Sequence, residues 1–201
     1  MKKKGNDSGN AQKIVDAVRT VIKQKGYAGT TITEVSKEAG VSRGLLHYYF
    51  KSKEDMIVQS IKTGERQDLA SIEEWFSNMD ATGNAVETFL NRTREEIRNR
   101  LDYYILYYEG LLLARHNRMI AEEIDRFTVK AREALQRGIE NIVQRGIISP
   151  KVPIDRIGVF MVALNDGITT SVLSNPDIID DDLFWDAFKL PLQLIWGEDT
   201  A

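Results

Sequence analysis

Thr30-Thr31-Ile32-Thr33-Glu34-Val35-Ser36-Lys37-Glu38-Ala39-Gly40-Val41-Ser42-Arg43-Gly44-Leu45-Leu46-His47-Tyr48-Tyr49-Phe50-Lys51-Ser52-Lys53 is the stretch that decides the fold. It reads as two short helices on either side of a glycine turn. Thr31 with Glu34 three residues later forms a capping box: the hydroxyl accepts the Glu34 backbone N–H, and the carboxylate can reach back to Thr31. Ile32, Val35 and Ala39 give the first helix one apolar face. Gly40 follows where a left-handed residue ends a helix at little cost. Ser42 is a good N-cap for the second helix. Leu46 and Phe50 lie one turn apart and face inward. Arg43, Gly44, His47 and Tyr48 are then left facing outward. Ser52 caps a third segment with Lys53 in its first turn. The pattern is a helix-turn-helix, whose partner is double-stranded DNA. An ordinary helical hairpin is the alternative. Capping box, Ala-Gly turn, second cap and aromatic run falling in one window favour DNA.

At these residues the chain resembles the tetracycline-repressor (TetR) family of bacterial transcription regulators. The resemblance runs from about Ile14 to Ile57. It is carried by Thr31-Ile32, Ala39-Gly40-Val41-Ser42, Gly44-x-Leu46, Tyr49-Phe50 and Ser52-Lys53-Glu54. Leu45 stands where the family more often has a small or hydroxyl residue, and His47 where an aromatic ring is usual. Beyond Ile57 the likeness is one of length and helical character. It implies a dimer built on the last two helices, a palindromic operator, repression as the mode of control and a multidrug-type or lipid-like effector.

Composition bounds the class. Hydrophobic residues make up 42% and charged residues 28% of 201, the balance of a soluble globular chain with room for a core. There is no cysteine, which removes disulfides, thiolate metal sites and cysteine nucleophiles. Lys2, Lys3 and Lys4 precede a polar segment with no apolar run, so the N-terminus does not read as a secretory signal. No stretch reads as long and apolar enough to span a bilayer. A cytoplasmic location follows as the expectation. The net charge of –3 hides an asymmetry: residues 1–62 hold 12 of the 27 Lys/Arg and 6 of the 30 Asp/Glu, a net of +6 against –9 for the rest. A basic head on an acidic body suits a protein that presents one end to DNA.

The whole chain reads as all-α, with nine or ten helices and no alternating strand pattern. The first helix starts near Asn10 or Ala11, with Ile14, Val15, Val18, Val21 and Ile22 on one face, and ends at Gly26. Met1–Gly9 reads as a tail whose lysines are solvated or trail along phosphates. Residues 1–52 form the tail and DNA-binding head; residues 53–201 form a ligand-binding and dimerisation body. In the body, Lys53–Ser77 is a linking helix, Asn78–Asn84 a loop, Ala85–Arg115 one long or two successive helices, and Arg118–Gly146 another. Asp155–Ser174 and Asp180–Trp196 are the last two, with Pro191 kinking the final one.

These last two helices are apolar on more than one side. Packing against a second copy buries the extra stripe with two-fold symmetry. Gly158 and Gly167 would let the helices approach closely. The segment Leu101–Leu113 is apolar nearly all round and carries four tyrosines. Tyr104, Tyr107, Tyr108 and Leu111, with Phe89, Phe127 and Phe160 from neighbouring helices, are candidates to line a pocket for a hydrophobic or cationic small molecule. Asn165, beside Asp166 in an apolar helix, is a candidate polar handle. Core packing and a hydrogen bond across the dimer are the competing explanations.

In the regulator reading Arg43 contacts guanine and Gly44 permits close approach to DNA. Ser42, His47 and Tyr48 lie on the same reading surface, and Thr31, Tyr49 and Lys53 hold phosphate. A helical-bundle enzyme is the first alternative. Against it stand two distant histidines, no Glu-x-x-His pair, no phosphate loop and no Gly-x-Ser-x-Gly; Glu122-Glu123 reads as solvated. No metal or cofactor is expected. A protein-interaction module without DNA binding is the second, opposed by the basic head.

Overall fold

The computed structural model describes residues 4–79 and 84–197, with backbone alone for 4–8. Among these residues there are ten α-helices and no strand. They are α1 (Lys4–Gly29), α2 (Ile32–Ala39), α3 (Arg43–Tyr49), α4 (Lys53–Asn78), α5 (Ala85–Asn99), α6 (Leu101–Ala114), α7 (Arg118–Gln144), α8 (Ile154–Ser174), α9 (Asp182–Asp186) and α10 (Lys189–Trp196), with a 3-10 turn at Pro176–Asp180. The helix begins at Lys4, ahead of the start that apolar spacing set, because 5–9 offers no apolar residue for the spacing to register. Lys2, Lys3 and the side chain of Lys4 lie outside the described residues, as do 80–83 of the expected loop.

The helices gather into two compact units. The first holds residues 1–67 and 102–127; the second holds 68–101 and 128–201. Packing therefore groups most of α6 and the start of α7 with the head, whereas the division at Ser52/Lys53 is one of expected function.

In the first unit, Ile14, Val18 and Ile22 of α1 are buried with Val35, Leu46 and Met56, giving α2, α3 and α4 a shared core. α6 is seated by glycines. A Cβ on Gly64 would overlap the Tyr103 ring, and one on Gly110 would come within 2.8 Å of the Ile61 side chain. Glu123 corrects an expectation: it is buried rather than solvated, because Lys62 at 3.4 Å and Arg126 both pair with it.

In the second unit the core is aromatic. Trp75 lies 5.5 Å from Phe89 and 6.3 Å from Trp196, and Phe89 lies 5.6 Å from Trp196. Phe76 occupies the space that a Cβ on Gly138 would take. Arg145 donates to the carbonyls of Phe76, at 3.0 Å, and Met79, satisfying the exposed end of α4.

Of the one long or two successive helices read for Ala85–Arg115, the structure has two, parted at Arg100, whose backbone leaves the helical region. The helix expected over Asp180–Trp196 is a turn and two short helices. Pro191 has no N–H and crowds the carbonyl one turn back, so α10 restarts at Lys189 with Pro191 in its first turn. α8 corrects the reading on membranes, since by length and composition it is long enough and apolar enough to cross one. Asn165 and Asp166, both partly buried, interrupt it.

Gly64→Ala and Gly138→Ala should each cost about 1–3 kcal/mol in urea unfolding through overpacking, despite the better helix propensity of alanine. Unchanged midpoints would show that Tyr103 and Phe76 are not seated against these glycines.

Candidate DNA interface and body sites

α3 is only seven residues, so its position rests on its ends and its buried side. The Ser42 hydroxyl accepts the Leu45 N–H at 3.1 Å, and Ser52 accepts that of Asp55 at 3.2 Å. Thr31 accepts the Glu34 N–H at 3.2 Å, as the capping box requires. The Glu34 carboxylate does not return to Thr31. It pairs instead with Lys25 of α1, which lowers its pKa. Gly40 closes α2 at φ 64°, in the left-handed region.

Leu46 is fully buried and Phe50 nearly so. The opposite side of α3 presents Arg43, Gly44, His47 and Tyr48 to solvent, and Ser42 is exposed beside them. Tyr48 is 74% exposed, its ring packed edge-on against Tyr49 at 5.4 Å. A Cβ on Gly44 would meet nothing closer than 3.9 Å, so nothing inside the chain requires glycine there. Thr31 is exposed and Tyr49 half-buried.

Lys53 is turned toward the protein. Its ammonium lies 3.8 Å from the centre of the Tyr27 ring and 3.4 Å from the Ala28 carbonyl, and burial lowers its pKa. The Tyr27 hydroxyl donates to Glu54 at 2.8 Å. Burial first, then the Glu54 hydrogen bond and charge, push the Tyr27 phenol up to about 12. Glu54 is held below the usual carboxylate range by its own backbone N–H, Tyr27 and Ser52. This cluster ties the end of α1 to the start of α4.

The candidate pocket residues divide between the units. In the first, Tyr107 lies 5.6 Å from Phe127 and 5.5 Å from Tyr108; Tyr104 is buried and Leu111 is 41% exposed. In the second, Phe89 belongs to the tryptophan cluster, and Phe160 and Asn165 are half-buried. Spacing did not reveal a cavity of about 320 Å³ between α5 and α9–α10, lined by Glu87, Asn91, Arg94, Asp182, Trp185 and Lys189. Its charges are paired internally: Arg94 donates to Asp182 at 2.8 Å and to the Ile179 carbonyl at 2.6 Å, and Lys189 to Glu87 at 3.1 Å. These partners are far apart in sequence, which is why it was invisible there. Among the described residues no group of three or more His, Cys, Asp or Glu could hold a metal ion.

Ser42→Ala should cost about 1 kcal/mol by removing the α3 cap, while Arg43→Ala leaves stability unchanged. Equal losses in thermal melts would place Arg43 in the fold. In an alkaline titration by tyrosinate absorbance, the Tyr27 phenol should ionise near pH 12 and fall only part of the way toward 10 in Glu54→Gln, since burial, the larger cause, remains. The raised folded pKa makes its stabilising contribution full below pH 10 and lost as pH climbs through 12.

Residues 14–59 match the family described as bacterial regulatory proteins, tetR family. The chain is similar to an uncharacterised HTH-type transcriptional regulator, YfiR, of Bacillus subtilis (strain 168): 29% identity over 165 residues, spanning 80% of this chain and 78% of that protein. Part of the chain is similar to the biofilm operon icaADBC HTH-type negative transcriptional regulator IcaR of Staphylococcus aureus (strain Newman): 38% identity over 50 residues, 25% of this chain and 27% of that one. The fold matches that of the transcriptional regulator FadR from Bacillus subtilis, solved in complex with stearoyl-CoA. The TM-score is 0.70 at 21% identity, over 94% of this chain and 99% of that one. The capped helix-turn-helix, its outward-facing side chains and these likenesses agree: residues 14–59 form a head of the tetR-family type, in a chain similar to bacterial HTH-type transcriptional regulators.

Proposed function

We propose that the protein is a cytoplasmic, non-enzymatic repressor that binds a palindromic operator as a homodimer and is released by a small hydrophobic effector. The observation that carries the reading is the exposed face of α3. Arg43 offers a two-pronged donor edge to guanine, and Gly44 leaves the helix free to lie close against the bases. His47 and Tyr48 extend the reading surface, with Ser42 at its start. Thr31 and Tyr49 flank it as phosphate contacts. Lys53 serves the same backbone once its ammonium exchanges the Tyr27 ring for phosphate oxygen.

Two exposed stripes support the dimer. α8 exposes Val159, Ala163, Gly167 and Thr170; α9, α10 and the turn between them expose Leu183, Ala187, Leu190 and Leu194. Leu183 is 78% exposed, and Leu190 and Leu194 more than half. Apolar residues recurring at three and four positions along exposed faces suit a helical interface with a second copy. Gly167 is open on its outer side, whereas Gly158 is turned inward, where a Cβ would lie 3.8 Å from the Arg132 carbonyl oxygen, and contributes no outward approach. Two heads on one dimer would read two half-sites about one helical turn apart. An effector that favours a different head spacing lowers operator affinity by its differential affinity for the two states. Negative regulation is what the name of IcaR states for that protein, and the stearoyl-CoA complex is what the FadR structure holds. Both support repression and a lipid-like effector here.

Arg43→Ala and Tyr48→Ala should abolish binding to a wild-type-selected DNA fragment in mobility shifts, with the dimer intact. Gly44→Ala should weaken that binding while preserving stability. Retained affinity in all three would remove α3 from the interface. Leu190→Glu with Leu194→Glu should give a folded monomer in sedimentation velocity; a persistent dimer would place the interface elsewhere.

A further inference from the structure

We infer that Arg19 receives the anionic oxygens, carboxylate or phosphate, of an amphiphilic effector whose apolar body lies along the rings of α6. The inference rests on the effector-responsive reading above and names the chemical class of that effector. Arg19 lies on α1 and is 7% exposed. Its Nε and Nη2 atoms are both buried and without a hydrogen-bond partner. The nearest carboxylate is that of Asp16, 3.9 Å from Nη1, largely exposed and across the guanidinium from Nε. No other acidic group among the described residues comes within ion-pair distance of Arg19. Below the guanidinium lies the Tyr103 ring, its centre 5.4 Å away.

A buried guanidinium is costly unless its N–H groups are met. Here the two unmet nitrogens share one edge. Their N–H bonds run parallel, which is the fork that takes the two oxygens of a carboxylate or phosphate. A second unmet group lies on α4: the fully buried Ser60 hydroxyl, one helical turn before Gly64. Gly64 is the seat of the Tyr103 ring, so Ser60 lies along the α4 face that carries this seat. From Tyr103 the rings continue to Tyr107 at 6.4 Å and on to Phe127 at 5.6 Å, an aromatic track for an apolar chain. The buried Glu123 carboxylate is paired through Oε2 with Lys62 and Arg126, and its Oε1 is buried without a hydrogen-bond partner. A cationic head is excluded from this position by Arg19 itself.

The test uses the full chain and three probes below their micelle concentrations: dodecanoate, dodecyl phosphate and methyl dodecanoate. Binding is read by calorimetry. At least one of the two acids should bind about tenfold or more tightly than the ester. Which acid binds better decides between carboxylate and phosphate. Arg19→Met should fold with an unchanged or higher melting temperature and lose the preference for acid over ester. Arg19→Lys keeps the charge but not the fork and should retain only part of it. Equal binding of acid and ester to the wild type, no binding of any probe, or an undiminished preference in Arg19→Met overturns the inference. So does a marked fall in melting temperature in Arg19→Met, which would mean that the guanidinium is satisfied within the fold. Operator release by the neutral ester as readily as by the acids would overturn the Arg19 assignment alone and leave the effector-responsive reading standing. DNA binding that no amphiphile alters, despite a clear acid preference in calorimetry, would do the reverse.

Discussion

The burial of Leu46 is the constraint on which the rest depends. α3 is too short to persist as an isolated helix, and its rotation about its own axis is set by which side chain enters the core. With Leu46 fully buried and Phe50 closing the C-terminal end, Arg43, Gly44, His47 and Tyr48 have one direction left to face. The caps at Ser42 and Ser52 and the left-handed Gly40 fix where the helix starts and where the chain goes next. The proposed DNA-reading surface is thus a by-product of core packing: its residues are held by what lies behind them.

The same logic connects the head to the part of the chain expected to sense an effector. α6 is grouped with the head unit because Tyr103 fits the notch left by Gly64, and Ile61 fits that left by Gly110. On the α1 side, Arg19 stands over Tyr103, and the Glu109 carboxylate is 3.7 Å from where a Cβ on Gly26 would lie. Gly26 is the kink that ends the regular part of α1, and Tyr27 beside it holds Glu54 and Lys53 at the start of α4. A small shift of α6 therefore meets glycine contacts with little slack and is passed to α1 and α4 rather than absorbed.

What was legible in the sequence was local. The capping residues, the Ala-Gly turn, the inward pair on α3 and the Asn175 end of α8 are each decided by neighbours within a few positions, and each stands where the spacing placed it. What was not legible depends on partners distant along the chain. Glu34 turned to Lys25, Glu123 was buried by Lys62, Gly158 faced Arg132, and Phe89 joined Trp75 and Trp196. Residue spacing carries no information on such pairings. α8 shows the limit from the other side: apolar residues on more than one face give it the length and composition of a spanning helix, although a helix shared between a core and a second apolar surface has the same pattern.

The most direct test of the account is selection of genomic fragments by the purified protein at near-physiological salt, followed by sequencing, with Arg43→Ala in parallel. The account predicts one enriched palindrome with half-sites about one helical turn apart, absent from the Arg43→Ala selection. Enrichment of the same fragments by both proteins, or none by the wild type with or without added amphiphile, would contradict it.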